Sequence, residues 1–129
     1  MKHFLSLADL SSDQLADLID LAVKLKQEWR SGGNPPVLKG KTLGMVFTKP
    51  SLRTRVSFDM AMLHLGGHAL YLSPNEISLG QRESVADVSR VMSRYVDAIM
   101  ARVFGHRDVV ELAQYASVPV INGLSDYTH

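Results

Sequence analysis

The sequence predicts an α/β fold, a three-layer domain with a four-stranded parallel sheet flanked by helices. Four short apolar runs alternate with segments whose apolar residues recur at helical spacing, which is typical of strands joined by helices. Such crossovers are right-handed, and they make the strands parallel and cover both faces of the sheet. The 129 residues, of which 46% are hydrophobic and 21% charged, suffice for one core of ordinary size.

The first helix is predicted over Ser12–Arg30. Ser11-Ser12-Asp13-Gln14 resembles a capping box, and Leu15, Leu18 and Ile19 begin a series of apolar residues on one helical face. The stretch 31–36, rich in glycine and proline, ends the helix, because glycine favours a C-terminal cap and proline cannot continue the helix. A Gly-Lys-Thr triplet follows at 40–42, but it precedes a strand and lacks the upstream glycine of a P-loop, so it does not indicate a nucleotide site.

The first strand is predicted over residues 43–47, a short and mostly apolar run. After it, Val56, Met60 and Leu63 recur at helical spacing and predict the second helix. The polar stretch between these two elements is therefore a helix start. A helix start exposes unpaired backbone N–H groups and the positive end of the helix dipole, and so attracts anions.

This helix start is rich in side chains that donate hydrogen bonds. Ser51, Arg53, Thr54 and Arg55 stand close together, and a planar guanidinium matches the oxygens of a phosphate better than a lysine does. The simpler alternative is that Ser51 or Thr54 caps the helix while the arginines are solvated or paired with surface carboxylates. The density of donors exceeds what a cap requires and favours a phosphate-binding turn.

Later segments continue the alternation of strands and helices. The sequence predicts strands over His68–Leu72, 97–101 and 118–121, a long polar loop over 73–80, a helix from Ser84 and a short helix over 107–115. Arg102 follows the third strand and Asn122 follows the fourth. Open parallel sheets bind ligands beyond the carboxyl ends of their strands. We therefore expect residues 51–55, Arg102 and the residues after Asn122 to meet at one edge.

Composition excludes several classes of protein and site. A formal net charge of +1 excludes a strongly basic nucleic-acid arm, and the absence of cysteine excludes disulfides, thiolate metal sites and a cysteine nucleophile. No apolar run approaches the roughly 18 residues of a membrane span, and residues 1–9 are too short and too polar for a secretory signal. We expect a cytoplasmic protein. Glu76, Glu83 and Asp87 lack the histidine partners that a metal site would need.

Four stretches resemble, in order, motifs of the aspartate/ornithine carbamoyltransferase family. The first resembles the family's carbamoyl-phosphate signature, and the last is closest in wording to the ornithine branch. They are Lys49-Pro50-Ser51-Leu52-Arg53-Thr54-Arg55-Val56-Ser57-Phe58, Leu79-Gly80-Gln81-Arg82-Glu83-Ser84, Asp97-Ala98-Ile99-Met100-Ala101-Arg102 and Val118-Pro119-Val120-Ile121-Asn122-Gly123-Leu124-Ser125-Asp126. Together they span most of the chain and are more specific than any one of them.

The resemblance implies that residues 1–129 form a carbamoyl-phosphate-binding domain and that the amino-acid-binding domain of the family is absent. The implied reaction transfers the carbamoyl group of carbamoyl phosphate to L-ornithine, giving citrulline and phosphate in arginine metabolism. It needs no cofactor and no metal, because positioning and preorganised positive charge supply most of the rate. The implied assembly is a homotrimer with sites between subunits. No nucleic-acid or membrane partner is expected.

The family pattern also implies roles for individual residues. The phosphate is held by Ser51, Arg53, Thr54 and the backbone N–H of Leu52, and the carbonyl oxygen is surrounded by Thr54, Arg102 and His129. Leu52 replaces a commoner threonine, so that a backbone donor remains while a hydroxyl is lost. Ser78 matches a position that reaches the phosphate of a neighbouring subunit. Arg55 is expected to support the site, paired with an acid.

Two alternatives to this function stay open. The acceptor could be aspartate, putrescine or N-acetylornithine, because the acceptor-binding half is outside these residues. The chain could also be a non-catalytic module that binds phosphate or drives oligomerisation, with the loop at 73–80 as its contact. In either case we expect the 129-residue chain to be inactive by itself.

Overall fold

The computed structural model describes residues 3–129. The first two residues belong to the segment interpreted above as lacking a secretory signal, and they lie outside the described residues. Within the described part, a short 3-10 helix at Leu7–Asp9 precedes the regular elements. These elements are α1 (Ser12–Arg30), β1 (Thr42–Phe47), α2 (Leu52–His64), β2 (His68–Leu72), α3 (Pro74–Ile77), α4 (Val85–Tyr95), β3 (Ala98–Arg102), α5 (His106–Tyr115) and β4 (Val120–Asn122).

The strands form one sheet in the order β2-β1-β3-β4, and all neighbouring strands are parallel. The predicted fold class, a four-stranded parallel sheet with helices, is therefore confirmed. Outside β4, Phe4 adds one further bridge, in which its N–H donates to the carbonyl of Val120 at 2.8 Å and its carbonyl accepts from the Asn122 N–H at 2.8 Å. The start of the chain thus covers one edge of the sheet.

The core has two halves, one on each face of the sheet, because side chains along a strand alternate between faces. On one face, Met45, Phe47 and Met100 pack against α2 through Met62. On the other face, a larger group packs among the strands and helices α3, α4 and α5. Its buried members are Val46, Ile77, Val85, Val88, Val96, Ile99, Ala101, Val103, Val109, Leu112, Ala113, Ala116 and Val120.

Helix α1 lies outside both halves of the core. It begins with the predicted capping box, in which Ser11 Oγ accepts from the Gln14 N–H at 3.1 Å and Gln14 Oε1 accepts from the Ser11 N–H at 2.9 Å. None of its residues is buried. It contacts α2 through a stack of Trp29 on His64, with ring centroids 3.6 Å apart.

β1, β3 and α5 differ from their predicted bounds by one residue, and two other elements differ by more. The segment 73–80, predicted as a loop, contains helix α3, because Pro74 stands at its first turn and the Glu76 carboxylate accepts from the Ser73 N–H at 2.8 Å in a second capping box. The fourth strand was predicted to begin at residue 118 but β4 begins at Val120. Pro119 has no N–H to donate, and its carbonyl pairs with the Ile99 N–H at 2.9 Å just before the strand.

No helix within residues 3–129 combines the length and the apolar character that crossing a membrane requires.

Candidate functional site

The carboxyl ends of β1 and β3 bring the start of α2 beside Arg102. Phe47, the last residue of β1, is the register partner of Arg102, the last residue of β3. The pairing continues one residue further, where the Thr48 N–H donates to the Arg102 carbonyl at 2.9 Å. Since α2 begins at Leu52, its first turn is held near Arg102, as the sheet-edge rule predicts.

Arg102 makes the central contact of this edge. Its Nη1 donates to Thr54 Oγ1 at 2.9 Å and to the Gly123 carbonyl at 3.4 Å. Its Nε is buried and has no hydrogen-bond partner among the described residues. Buried donors are nearly always paired in folded proteins, and an unpaired one is typical of a group that serves a ligand or a reaction. The guanidinium is thus oriented by the protein and keeps a free donor.

The first turn of α2 also keeps its donors free. Ser51 is the N-cap residue, yet its side chain makes no capping hydrogen bond, and the turn contains no acidic residue. The alternative in which Ser51 serves as a cap is therefore wrong. Thr54 is buried at 9% exposure, whereas the Leu52 side chain is 75% exposed. The backbone N–H groups of this turn have no partner inside the helix, so the turn can hold an anion.

The two arginines of the signature have different surroundings. Arg53 is exposed, and the ion pairs within residues 3–129, Lys41 with Asp97 and Asp87 with Arg90, do not include it. Arg55 was expected to pair with an acid, but it stacks on the ring of Tyr71, with 3.9 Å between its Cζ atom and the ring centroid. The reason is that β2 lies beside α2 and presents this ring, so Arg55 binds an aromatic face in place of a carboxylate.

The segment after β4 completes the edge, and Asn122 fixes its shape. The buried amide of Asn122 donates from Nδ2 to the carbonyls of Leu5 and Thr128, both at 3.0 Å, and its Oδ1 accepts from the Leu124 N–H at 2.9 Å. At Gly123 a side chain has no room, since a Cβ atom would lie 2.5 Å from Met100 Sδ and 3.3 Å from the Ala101 carbonyl. Glycine therefore allows the backbone to approach Arg102.

His129 ends this segment and is exposed. Among the described residues, no hydrogen bond joins it to Thr54 or Arg102. His129 lies in the same segment as Gly123, whose carbonyl accepts from Arg102 Nη1. Its role at the carbonyl oxygen of the substrate stays a prediction.

Within residues 3–129, no hydrogen bond joins Ser78 to Thr54 or Arg102. Ser78 follows α3 in the left-handed conformation, with φ 47° and ψ 56°, and its N–H donates to the Pro74 carbonyl at 3.0 Å. It lines a separate polar cleft of about 260 Å³. The other residues of this cleft are Thr48, Pro74, Leu79, Gln81, Phe104 and Asp108. Within one chain, the structure does not bring Ser78 to the other predicted site residues.

Sequence reasoning missed several residues that shape this edge. Asn122 was noted as the end of the fourth strand but without a role, Ser125 only as part of a motif, and His106, whose ring lies 2.8 Å from Ser125 Oγ, not at all. A polar residue that ends a buried strand is a usable signal for Asn122, whereas no local pattern points to His106. Within residues 3–129, no three or more His, Asp or Glu side chains are grouped so that they could hold a metal ion.

Comparison with known proteins relates this edge to a family. Residues 2–129 match the family model described as aspartate/ornithine carbamoyltransferase, carbamoyl-P binding domain. The ornithine carbamoyltransferase of Pyrococcus horikoshii is 54% identical over 129 residues, which are 99% of this chain and 40% of that protein. The anabolic ornithine carbamoyltransferase of Pyrococcus furiosus is also 54% identical over 129 residues, covering 99% of this chain and 41% of that protein.

Solved structures agree with the sequence matches. The crystallised ornithine carbamoyltransferase from Pyrococcus furiosus superposes with a TM-score of 0.93 at 52% identity, covering 96% of this chain and 40% of that one. The chain thus spans about two fifths of the length of the relatives it matches. With its parallel sheet, its donor-rich turn and a family model that covers nearly all of it, the chain belongs to the aspartate/ornithine carbamoyltransferase family.

Proposed function

We propose that residues 1–129 are the carbamoyl-phosphate-binding domain of an ornithine carbamoyltransferase. The complete enzyme would transfer the carbamoyl group of carbamoyl phosphate to the side-chain amine of L-ornithine and release citrulline and phosphate. The observation that carries the proposal is the contact of Arg102 with Thr54 beside a helix start whose donors are free. A substrate that carries a phosphate at one end and a carbonyl oxygen at the other fits this site, because both groups accept hydrogen bonds from donors.

The phosphate end is assigned to the start of α2. One turn contains all the donors assigned to the phosphate. They are the Ser51 hydroxyl, which makes no capping hydrogen bond, the exposed Arg53 side chain, and the backbone N–H groups of Leu52 and Thr54. Hydrogen bonds from charged donors to phosphate are shorter and stronger than neutral ones, and the helix dipole adds to them. Leu52 contributes only its backbone, since its side chain faces solvent.

The carbonyl end is assigned to Thr54, Arg102 and His129. Negative charge develops on the carbonyl oxygen when the neutral amine attacks the carbonyl carbon, and preorganised donors lower the energy of that state. Thr54 Oγ1 accepts from Arg102 Nη1, so its own hydrogen is left to donate to the substrate oxygen. The new C–N bond forms as the bond from the carbonyl carbon to the phosphate oxygen breaks, and the proton that the amine loses is taken up by the departing phosphate.

The assembly and location of the enzyme belong to the same proposal. We place it in the cytoplasm, in arginine metabolism, as a homotrimer in which Ser78 reaches the phosphate of a neighbouring subunit. In the described part of its own chain, Ser78 makes no hydrogen bond to Thr54 or Arg102, which supports this arrangement. Sedimentation of the complete protein should give three times the mass of one chain, and a monomer with full activity would contradict it.

Calorimetric titration of the complete protein with carbamoyl phosphate tests the phosphate end. We expect Arg53→Ala to lose about 2 kcal/mol or more of binding free energy, because a charge-assisted partner is removed. Arg30→Ala, at the exposed end of α1, is the matched control and should bind as the wild type does. Equal binding by both variants would mean that the start of α2 is not the phosphate site.

A second candidate is a non-catalytic module that binds phosphate or drives oligomerisation. Citrulline formation by the complete protein separates the two candidates. Aspartate, putrescine and N-acetylornithine should be assayed in parallel, and we expect ornithine to be the preferred acceptor. Carbamoyl-phosphate binding without turnover on any acceptor would favour the module.

A further inference from the structure

His106, the first residue of α5, contacts three consecutive residues of the segment that leads to His129. Its backbone N–H donates to Asp126 Oδ1 at 2.8 Å. Its ring nitrogen Nδ1 lies 2.8 Å from Ser125 Oγ, and its ring meets the ring of Tyr127 edge to face, with 4.9 Å between the centroids. The backbone and the side chain of one residue thus join the start of α5 to the segment 122–129.

The backbone part of this connection caps the helix. The N-cap residue of α5 is Gly105, which has no side chain to accept a hydrogen bond from the first turn. Asp126 supplies that acceptor from a segment 20 residues away. A carboxylate at a helix N-terminus is favourable because it faces the positive end of the dipole. Asp126 is held in turn by its own N–H, which donates to the Phe104 carbonyl at 2.8 Å.

The hydrogen bond between the His106 ring and Ser125 depends on which ring nitrogen of His106 carries the proton. The buried hydroxyl of Ser125 has a single hydrogen, and it donates to the Thr128 carbonyl at 3.1 Å. Its oxygen lies 3.4 Å from Asn122 Nδ2 and from the N–H groups of Tyr127 and Thr128. The shorter contact, 2.8 Å, is with His106 Nδ1, from which the oxygen accepts when Nδ1 is protonated. A continuous chain of donors results, from the His106 ring through Ser125 Oγ to Thr128. Thr128 directly precedes His129.

Thr128 also forms a hydrogen bond with Asn122, which joins the two ends of this segment. Its carbonyl accepts from Asn122 Nδ2 and from the Ser125 N–H, both at 3.0 Å. The same segment presents the Gly123 carbonyl to Arg102 Nη1 at 3.4 Å. The chain from His106 to Thr128 therefore supports both the carbonyl that helps to orient Arg102 and the residue before His129.

We propose that His106, with Nδ1 protonated, is a positioning residue for carbamoyl transfer. By holding Ser125 and Asp126, it fixes the segment 122–129 and so sets the positions of Arg102 and His129 at the carbonyl oxygen. His106 does not touch the substrate. The inference rests on the proposed function, since it concerns the same site, and it assigns to that site a residue that no motif contains.

Kinetics of three substitutions in the complete enzyme test the proposal. His106→Ala should lower kcat by roughly ten- to a hundredfold, the range expected when reacting groups are misplaced, and should change KM for carbamoyl phosphate by less than about threefold, because the phosphate is held by α2. His106→Asn places an amide N–H at the position of Nδ1 and should restore most of kcat. His106→Gln carries that N–H one bond farther out and should restore less.

The matched control is His68→Ala, an exposed histidine at the opposite end of the sheet, where β2 begins. It should leave kcat unchanged. The proposal is overturned if His106→Ala keeps the wild-type kcat, or if Asn restores no more activity than Gln does. A parallel rise of KM for carbamoyl phosphate would also overturn it, since that result means general disruption of the fold.

Amide exchange of the same variants gives a readout that does not depend on activity. Hydrogen–deuterium exchange of peptides that cover residues 122–129 should be faster in His106→Ala than in the wild type and should return toward the wild-type rate in His106→Asn. Unchanged exchange would overturn the proposal. Citrulline formation by the wild type tests the proposed function alone, so its failure is distinguishable from a failure of His106 to hold the segment.

Discussion

At the scale of single residues, the site depends on one guanidinium that is held from two sides. Thr54 accepts from Arg102 Nη1 at 2.9 Å and the Gly123 carbonyl accepts from it at 3.4 Å, while Nε stays buried and unpaired within the described residues. A donor that is fixed before the substrate arrives needs no reorganisation when charge develops. Thr54 is therefore as important for the direction of Arg102 as for its own hydrogen bond.

We expect Thr54→Val to lower kcat for carbamoyl transfer by roughly a hundredfold or more, because the substitution keeps the shape of the side chain but removes both an acceptor for Arg102 and a donor for the substrate. Steady-state kinetics of the complete enzyme would measure this. Thr42→Val, at the opposite end of β1, is the control and should retain activity. Full activity of Thr54→Val would remove Thr54 from the site.

Prediction from the sequence succeeded at this scale where a rule of the fold connects distant residues. Thr54 and Arg102 were expected together because parallel strands end at one edge, and the structure joins them directly. The contact of His106 with Ser125 and the stack of Arg55 on Tyr71 could not be predicted. They depend on how a loop closes and on which ring lies beside a helix, and neither is encoded in local spacing.

At the scale of elements, the helix boundaries follow from their caps. Helix α2 ends where Gly66 adopts φ 86° and where the Gly67 N–H donates to the Met62 carbonyl at 2.8 Å. A left-handed residue of this kind is the usual end of a helix, and glycine adopts it without strain. The left-handed Gly66 therefore explains why α2 ends at His64. Helix α3 was missed because a single turn has too few residues to show a period.

We expect Gly66→Ala to destabilise the chain more than Gly33→Ala does. Both glycines have a positive φ that costs an alanine about 1 kcal/mol or more. A Cβ at Gly66 would also lie 2.7 Å from Pro36 Cβ and 3.1 Å from Pro36 Cα, whereas a Cβ at Gly33 would meet no atom within 4 Å. Urea unfolding measures the difference. Equal losses of stability would show that Pro36 moves aside freely.

At the scale of the whole molecule, the sheet and four of the helices form the core, and α1 is attached from outside. Leu112 is fully buried, while Leu21 of α1 is 49% exposed. The amphipathic pattern of α1 predicted the helix correctly, but a pattern of spacing does not tell what covers its apolar face. The order of the strands was likewise not predicted, since alternation of elements fixes parallel pairing without fixing which strands are neighbours.

We expect Leu112→Ala to lower the free energy of unfolding by about 2–5 kcal/mol, because it opens a cavity in the larger half of the core. The same substitution at Leu21 should cost about 1 kcal/mol or less, as is usual for half-exposed positions. Chemical denaturation of the two variants gives both values. Similar losses at both positions would mean that α1 belongs to the cooperative core.

The strand order has a consequence for synthesis on the ribosome. β1 is central in the sheet, yet its partner β2 is made about 26 residues after it and its partner β3 about 55 residues after it. At roughly 5–20 residues per second, the growing chain spends about 3–11 s with one side of β1 unpaired. Phe4 is made 117 residues before Ile121, its bridge partner. Chaperones therefore have several seconds in which to bind Met45 and Phe47, which are fully buried once the sheet is complete.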